Sequence, residues 1–177
     1  MAMKFDNRAG QLLKIGSILF CCLFLLGLIA CPASARTLKM ESVSHSLTLN
    51  PDASVNVTEN LTVKFSGEWQ GFYVEIPQNY GTQLTDISVT ENGQAYQFNP
   101  GTEYGPAGTF LIKESYDNVL IDWSINARDE TRNFTLKYRV INAVKIHNDT
   151  AEFYRKFIGD KNGEALENVQ VTLTLPP

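Results

Sequence analysis

The stretch Val55-Asn56-Val57-Thr58-Glu59-Asn60-Leu61-Thr62-Val63-Lys64-Phe65 decides the fold. Its apolar members alternate with polar ones, the period of two that turns one face of a strand to a core and the other to water. Val119, Ile121, Trp123 and Ile125 alternate with Leu120, Asp122 and Ser124 in the same way. Phe134, Leu136, Tyr138 and Val140 form a third such face, and Val169, Val171, Leu173 and Leu175 a fourth. A weaker strand runs through Val43, Leu47 and Leu49, and others fit 72–76, 85–91, 94–98 and 109–113.

Turn residues fall between these runs. Asn50-Pro51-Asp52 joins the first two strands as a hairpin, and Asn92-Gly93 tolerates positive φ at both central positions of a tight turn. Tyr116-Asp117-Asn118 and the stretch 126–132 are expected to link the next two pairs. Pro77, Pro100 and Pro106 fall at strand ends or in loops, where a missing N–H costs no ladder bond. The expected fold is all-β, an antiparallel β-sandwich of about 8–9 strands. One short helix is expected over 149–158: Asp149 is a cap, Phe153 and Phe157 are spaced for one helical face, and Gly159 is a stop.

Charge divides the chain. Residues 1–35 hold Lys4, Arg8 and Lys14 against Asp6, which leaves 12 basic and 18 acidic residues in 36–177, a net −6. An acidic body without a basic run has no counterion-release drive onto nucleic acid, so no nucleic-acid partner is expected. Between Lys14 and Arg36 lie 21 residues without a formal charge. A basic start, an apolar run and Ala33-Ser34-Ala35 give residues 1–35 the layout of a signal peptide, cut between Ala35 and Arg36. Two other readings stay open. The segment is long enough to remain as an uncleaved N-terminal anchor. Leu28-Ile29-Ala30-Cys31 also resembles a lipobox, with Cys31 as the lipidated residue. Each reading makes 36–177 an exported, extracytoplasmic domain.

Cys21, Cys22 and Cys31 all belong to the targeting region, so a chain cut after Ala35 holds no cysteine. Neither a disulfide framework nor a cysteine metal site is then available, and stability rests on a packed core. A domain of this size supplies one, burying roughly two-thirds of its unfolded surface.

Three stretches together carry a family resemblance. They are Phe65-Ser-Gly-Glu-Trp-Gln-Gly-Phe-Tyr-Val-Glu-Ile-Pro77; Ile121-Asp-Trp123 with Thr131-Arg-Asn-Phe-Thr-Leu-Lys-Tyr-Arg-Val140; and Asn148-Asp-Thr-Ala-Glu-Phe-Tyr-Arg-Lys-Phe-Ile-Gly159 leading to Val169 and Pro176. Over about residues 40–177 the chain resembles the bacterial predicted-membrane-protein family called domain of unknown function 2207. The resemblance implies an exported β-rich domain tethered by a later transmembrane helix, with no established activity and no catalytic residues to carry over. Val74 stands where members often have Arg, and Lys161-Asn162 replaces a Trp-containing turn. The stop at Pro176-Pro177, directly after a strand, fits a longer protein with a C-terminal transmembrane segment beyond it.

Catalytic signatures are sparse, and the sequence is expected not to be an enzyme. His45 and His147 lack metal-ligand spacing, and there is no G-x-S-x-G elbow or phosphate-cradling glycine loop, so no metal and no cofactor are expected. His45, in phase with Val43 and Leu47, reads as a half-buried strand histidine, and His147 as a surface one. Glu59 is the acid of interest, because it falls on the apolar face, where burial would raise its pKa. The competing reading has Glu59 near a strand edge or paired with an inward Arg or His. Asp122, out of phase with Trp123, is expected to face solvent. Asn56, Asn60, Asn133 and Asn148 begin N-x-Thr sequons that read as chance products of Asn/Thr-rich strands.

Aromatic residues are the better functional signal. Trp69, Tyr73 and Tyr80 cluster in sequence, and Tyr104 lies in a Gly/Pro-rich loop; these four are the candidate ligand-binding residues. The expected function is a non-catalytic extracytoplasmic module at the bacterial membrane that binds a protein partner or an envelope component. The alternatives are a module binding cell-wall glycan and, further off, a hydrolase in which Glu59 or Glu75 faces a second acid across a cleft.

Overall fold

The alternating run that begins at Val55 does not end at Phe65. It continues as one strand, β2 (Val55–Pro77), and the runs at 119–125 and 134–140 are likewise a single strand, β7 (Asn118–Ile141). The stretch 126–132, expected to be a turn, is instead a bend. β2 and β7 pair antiparallel from Val55↔Val140 to Pro77↔Asn118, with register shifts between Phe65 and Glu68 and between Trp69 and Gly71. Both strands bend at the same place, so the ladder carries on through polar residues that stay in water.

The computed structural model describes residues 36–78, 81–101, 103–157 and 166–176. Around the central pair lie β1 (Thr37–Leu49), β3 (Gln83–Glu91), β4 (Gln94–Ala95), β5 (Gln97–Phe98) and β6 (Thr109–Glu114). The remainder are β8 (Val144–Ile146), β9 (Ala151–Phe153) and β10 (Asn168–Thr174). One sheet runs β10-β1-β2-β7-β3-β4, with β6 also paired to β7 and β5 to β6. β1 and β3 pair with the stretches of β2 and β7 on one side of the bend, and β6 with β7 on the other. The sheet therefore doubles over into two layers, a corner route to a sandwich. The rings of Phe72 and Phe134 make this visible. They belong to opposite sides of the bend, yet they stack 6.0 Å apart at 9°.

The core fills the fold of the sheet. Phe65, Trp123 and Phe134 are buried, and Trp123 meets Phe134 at 5.4 Å and Phe72 at 5.0 Å. The corner is held by polar contacts. Gly67, at φ +77, donates its N–H to Asp129 Oδ1 at 2.7 Å, and Asp129 is itself left-handed at φ 48. A Cβ on Gly67 would lie 2.9 Å from Arg36 Cγ, so the position suits glycine twice over. Arg132 reaches back across the bend to the Asn126 carbonyl at 2.5 Å and to Glu91 at 3.0 Å.

The all-β expectation holds, with two corrections. The sheet is mixed, because β1–β10 and β5–β6 pair parallel. The helix expected over 149–158 is absent from its described part. Asp149 lies in the turn of a β8–β9 hairpin, closed by His147 N–H donating to the Thr150 carbonyl at 2.8 Å, and residues 154–157 are irregular. Phe153 and Phe157 both pack on the core from this backbone, so their four-residue spacing reflects shared burial rather than a helical turn. The Asn50–Asp52 and Asn92-Gly93 hairpins form as read, the latter with φ 48 and 85.

Phe134 touches three other buried rings, so truncating it leaves a cavity where the layers meet. Phe134→Ala is expected to cost about 3–5 kcal/mol in urea unfolding.

Candidate functional site

Past the bend, the outer face of the second layer carries a cross-strand pair, Tyr73 of β2 opposite Asp122 of β7, with Gly71 opposite Ser124 one step along. Residues 103–108 fold over this face. Gly108 N–H donates to the Ser124 carbonyl at 3.0 Å, and the Thr109 hydroxyl donates to the Pro106 carbonyl at 2.8 Å. A Cβ on Gly105 would run into the Thr109 hydroxyl, so glycine lets the loop sit this close. The result is a groove of about 680 Å³ lined by Arg36, Trp69, Gly71, Tyr73, Tyr104 and Asp122 among others.

Three of the four aromatic candidates therefore meet in one place. Tyr73 and Tyr104 are 59% and 67% exposed, whereas Trp69 is half-buried. Trp69 packs 5.8 Å from Phe65, donates its indole N–H to the Ser66 carbonyl at 3.0 Å, and carries the Arg36 guanidinium 5.6 Å over its ring. Lys113 stands 5.4 Å over the Tyr104 ring. Tyr80 lies outside the described residues, as do Cys31, Ala35 and the rest of the targeting segment 1–35.

Asp122 is the residue the sequence reading missed. Period two turns it away from the core, as expected, but the Tyr104 loop covers it and it is 5% exposed. Burial pushes its carboxyl above the usual range, partly offset by a hydrogen bond from Tyr104 and the charge of Lys113. The Asp122 charge in turn raises the Tyr104 phenol. No local pattern marks a loop more than a dozen residues upstream as the cover of this position.

The other buried acid, Glu59, lies on the inner face of the first layer, directly opposite His45 of β1. His45 Nδ1 is 3.4 Å from Glu59 Oε1, close enough for charge attraction but out of line for a hydrogen bond. The Tyr138 hydroxyl donates to Glu59 and accepts from Arg155, whose Nη2 is also 3.4 Å from the carboxylate. Glu59 is thus the paired inward acid of the competing reading. His45 is fully rather than half buried, and its ring meets Phe157 at 5.4 Å. His147 is on the surface, 3.5 Å from Glu152. Burial alone would raise the Glu59 carboxyl, but His45, Tyr138 and Arg155 together bring it below its usual value. Glu75 is exposed on β2. Among the described residues no three potential metal ligands cluster.

The family model described as "Predicted membrane protein (DUF2207) N-terminal domain" matches residues 39–177. The chain belongs to this family. The DUF2207 domain is thereby a module of a predicted membrane protein; among its described residues no helix is long and apolar enough to cross a membrane. No curated protein matches it. Among solved structures, an M1 zinc metallopeptidase from Deinococcus radiodurans is similar at 14% identity and a TM-score of 0.36, over 60% of this chain and 21% of that one. A putative nutrient binding protein from Legionella pneumophila is similar at 16% identity and a TM-score of 0.35, over 62% of this chain and 41% of that one. The DUF2207 domain thus spans well under half the length of either, and at this likeness neither activity nor ligand passes to it.

The sign of the Glu59 shift predicts acid sensitivity. A carboxyl held lower in the folded state than in the unfolded one adds stability above its unfolded value of about 4.5, and that stability is lost as pH falls through the lower folded value. Urea unfolding followed from pH 7 to pH 3 is expected to show this loss. In Glu59→Gln the acid-induced loss is expected to be smaller, and stability at pH 7 lower by about 3 kcal/mol, because Arg155 keeps a buried charge without its carboxylate.

Proposed function

We propose that this chain is a non-catalytic, extracytoplasmic binding module that holds a partner or envelope component at the bacterial membrane through the groove between Trp69 and Tyr104. Family membership supports the membrane association. The basic-apolar-small pattern of residues 1–35 supports export. The observation that carries the binding reading is the pair of exposed rings, Tyr73 and Tyr104, flanking a buried carboxyl in a groove already braced by its own loop. Large exposed rings beside convergent polar groups are what a binding surface offers and what a core has no use for.

Location is tested by placing one thiol on a body that otherwise has none after residue 35. Tyr116, 91% exposed, is the place for it. In intact cells, Tyr116→Cys is expected to react with a membrane-impermeant maleimide, against the unsubstituted chain as control. Labelling only after lysis would overturn the extracytoplasmic assignment. Binding is tested by recovering the full-length protein from membranes: material retained with it is expected to be lost from Tyr104→Ala, and retention independent of Tyr104 would overturn the groove as the contact.

A further inference from the structure

The groove has a chemical character that narrows what enters it. Its floor is the Asp122 carboxyl, beside the Tyr104 phenol and with spare acceptor capacity, since a carboxylate has room for about four hydrogen bonds. Gly71 adds no side chain beside that carboxyl, which is 5% exposed. A Cβ there would sit 3.7 Å from Asp122 Oδ1 in ordinary contact, so any longer side chain would lie across the acceptor. Tyr73 and Tyr104 line it, together with Gln70 and Asn126.

Charge rules out most other ligands. Arg36 and Lys113 already stand over the rings of Trp69 and Tyr104, so an incoming cation would meet two like charges. An incoming anion would meet Asp122 at the floor. A neutral molecule with an apolar face and several hydroxyl donors satisfies both constraints. It lays C–H surface on the tyrosines and donates to the buried carboxylate.

We propose that the groove binds a neutral saccharide, with Tyr73 and Tyr104 stacking on a sugar ring and Asp122 accepting from its hydroxyls. This deepens the binding-module reading and rests on it. The volume, about 680 Å³, falls within the roughly 300–1,000 Å³ typical of small-ligand sites.

The test is a fluorescence titration of the 177-residue chain in mild detergent, because Trp69 lines the groove and reports on occupancy. The probes are triacetylchitotriose and cellotriose as neutral saccharides, and choline as a cation. At least one saccharide is expected to give a saturable change and choline none. Asp122→Asn is expected to weaken binding about tenfold or more, the cost of losing a charged acceptor. Gly71→Val, which places bulk beside Asp122, is expected to abolish binding, and Tyr116→Ala to leave it unchanged. Unaltered thermal melting of each variant shows that the fold survives. A parallel pelleting assay with purified peptidoglycan separates a wall polymer from a free oligosaccharide as the source. No saturable response to either saccharide, a response to choline instead, or binding unaffected by Gly71→Val would overturn the proposal. Membrane material still recovered in a Tyr104-dependent way would then leave the binding-module reading standing without its sugar.

Discussion

Everything in this fold depends on the β2–β7 ladder bending without breaking. Two strands of 23 and 24 residues would make an unusually long ribbon with one exposed apolar face. Bending both at the same point brings that face onto itself and supplies two layers from one pair. The device is small: a bulge on each strand, Gly67 and Asp129 in left-handed conformations, and Arg132 tying the outgoing strand back to Asn126 and Glu91. The groove is a by-product of the same bend. Trp69, Gly71 and Tyr73 follow it on β2, while Asp122 and Ser124 precede it on β7, so the corner that closes the core also positions the site.

The sequence shows the strands better than their connections. Alternation identifies the inner faces of β1, β2 and β7, down to Glu59 sharing one with Val57 and Leu61, because period two is a local property of the chain. On edge strand β10 the same rhythm misleads, for Val169, Val171 and Leu173 are exposed rather than core-facing. A bend and a turn are written in the same residues, however. Both need polar, water-tolerant side chains, and Asn126-Ala-Arg-Asp-Glu-Thr-Arg132 satisfies either. Which one forms depends on whether the partner strand bends too, a fact stored about sixty residues away. The 149–158 segment fails for a related reason. Its aromatic spacing satisfies a helix, but the neighbouring Val144–Ile146 offers a strand to pair with, and both rings reach the core regardless.

Asp122 illustrates the same limit at the site. Its outward direction is legible, yet direction is not exposure. The Tyr104 loop has no periodicity that says where it lies, so the covering of Asp122, and of Leu111 paired opposite it, exists only in the tertiary structure. The aromatic cluster was legible because Trp69 and Tyr73 are close in sequence and share the β2 outer region. That Tyr104 joins them follows from the loop's anchorage at Gly108 and Thr109.

The two buried acids separate structure from function more sharply than any motif. Both lie in strands and both are about 95% buried, yet their environments shift them in opposite directions. Glu59 is surrounded by an imidazole, a phenol and a guanidinium that more than offset its burial, so its charge is fully provided for within the chain. Asp122 has the Tyr104 phenol and the Lys113 ammonium, which offset its burial only in part, so burial prevails. A chain selected only for stability would place an amide or an apolar side chain at 122. A carboxyl whose burial is only partly offset, beside Gly71 and flanked by exposed rings, suits a visiting hydroxyl that adds to its shell.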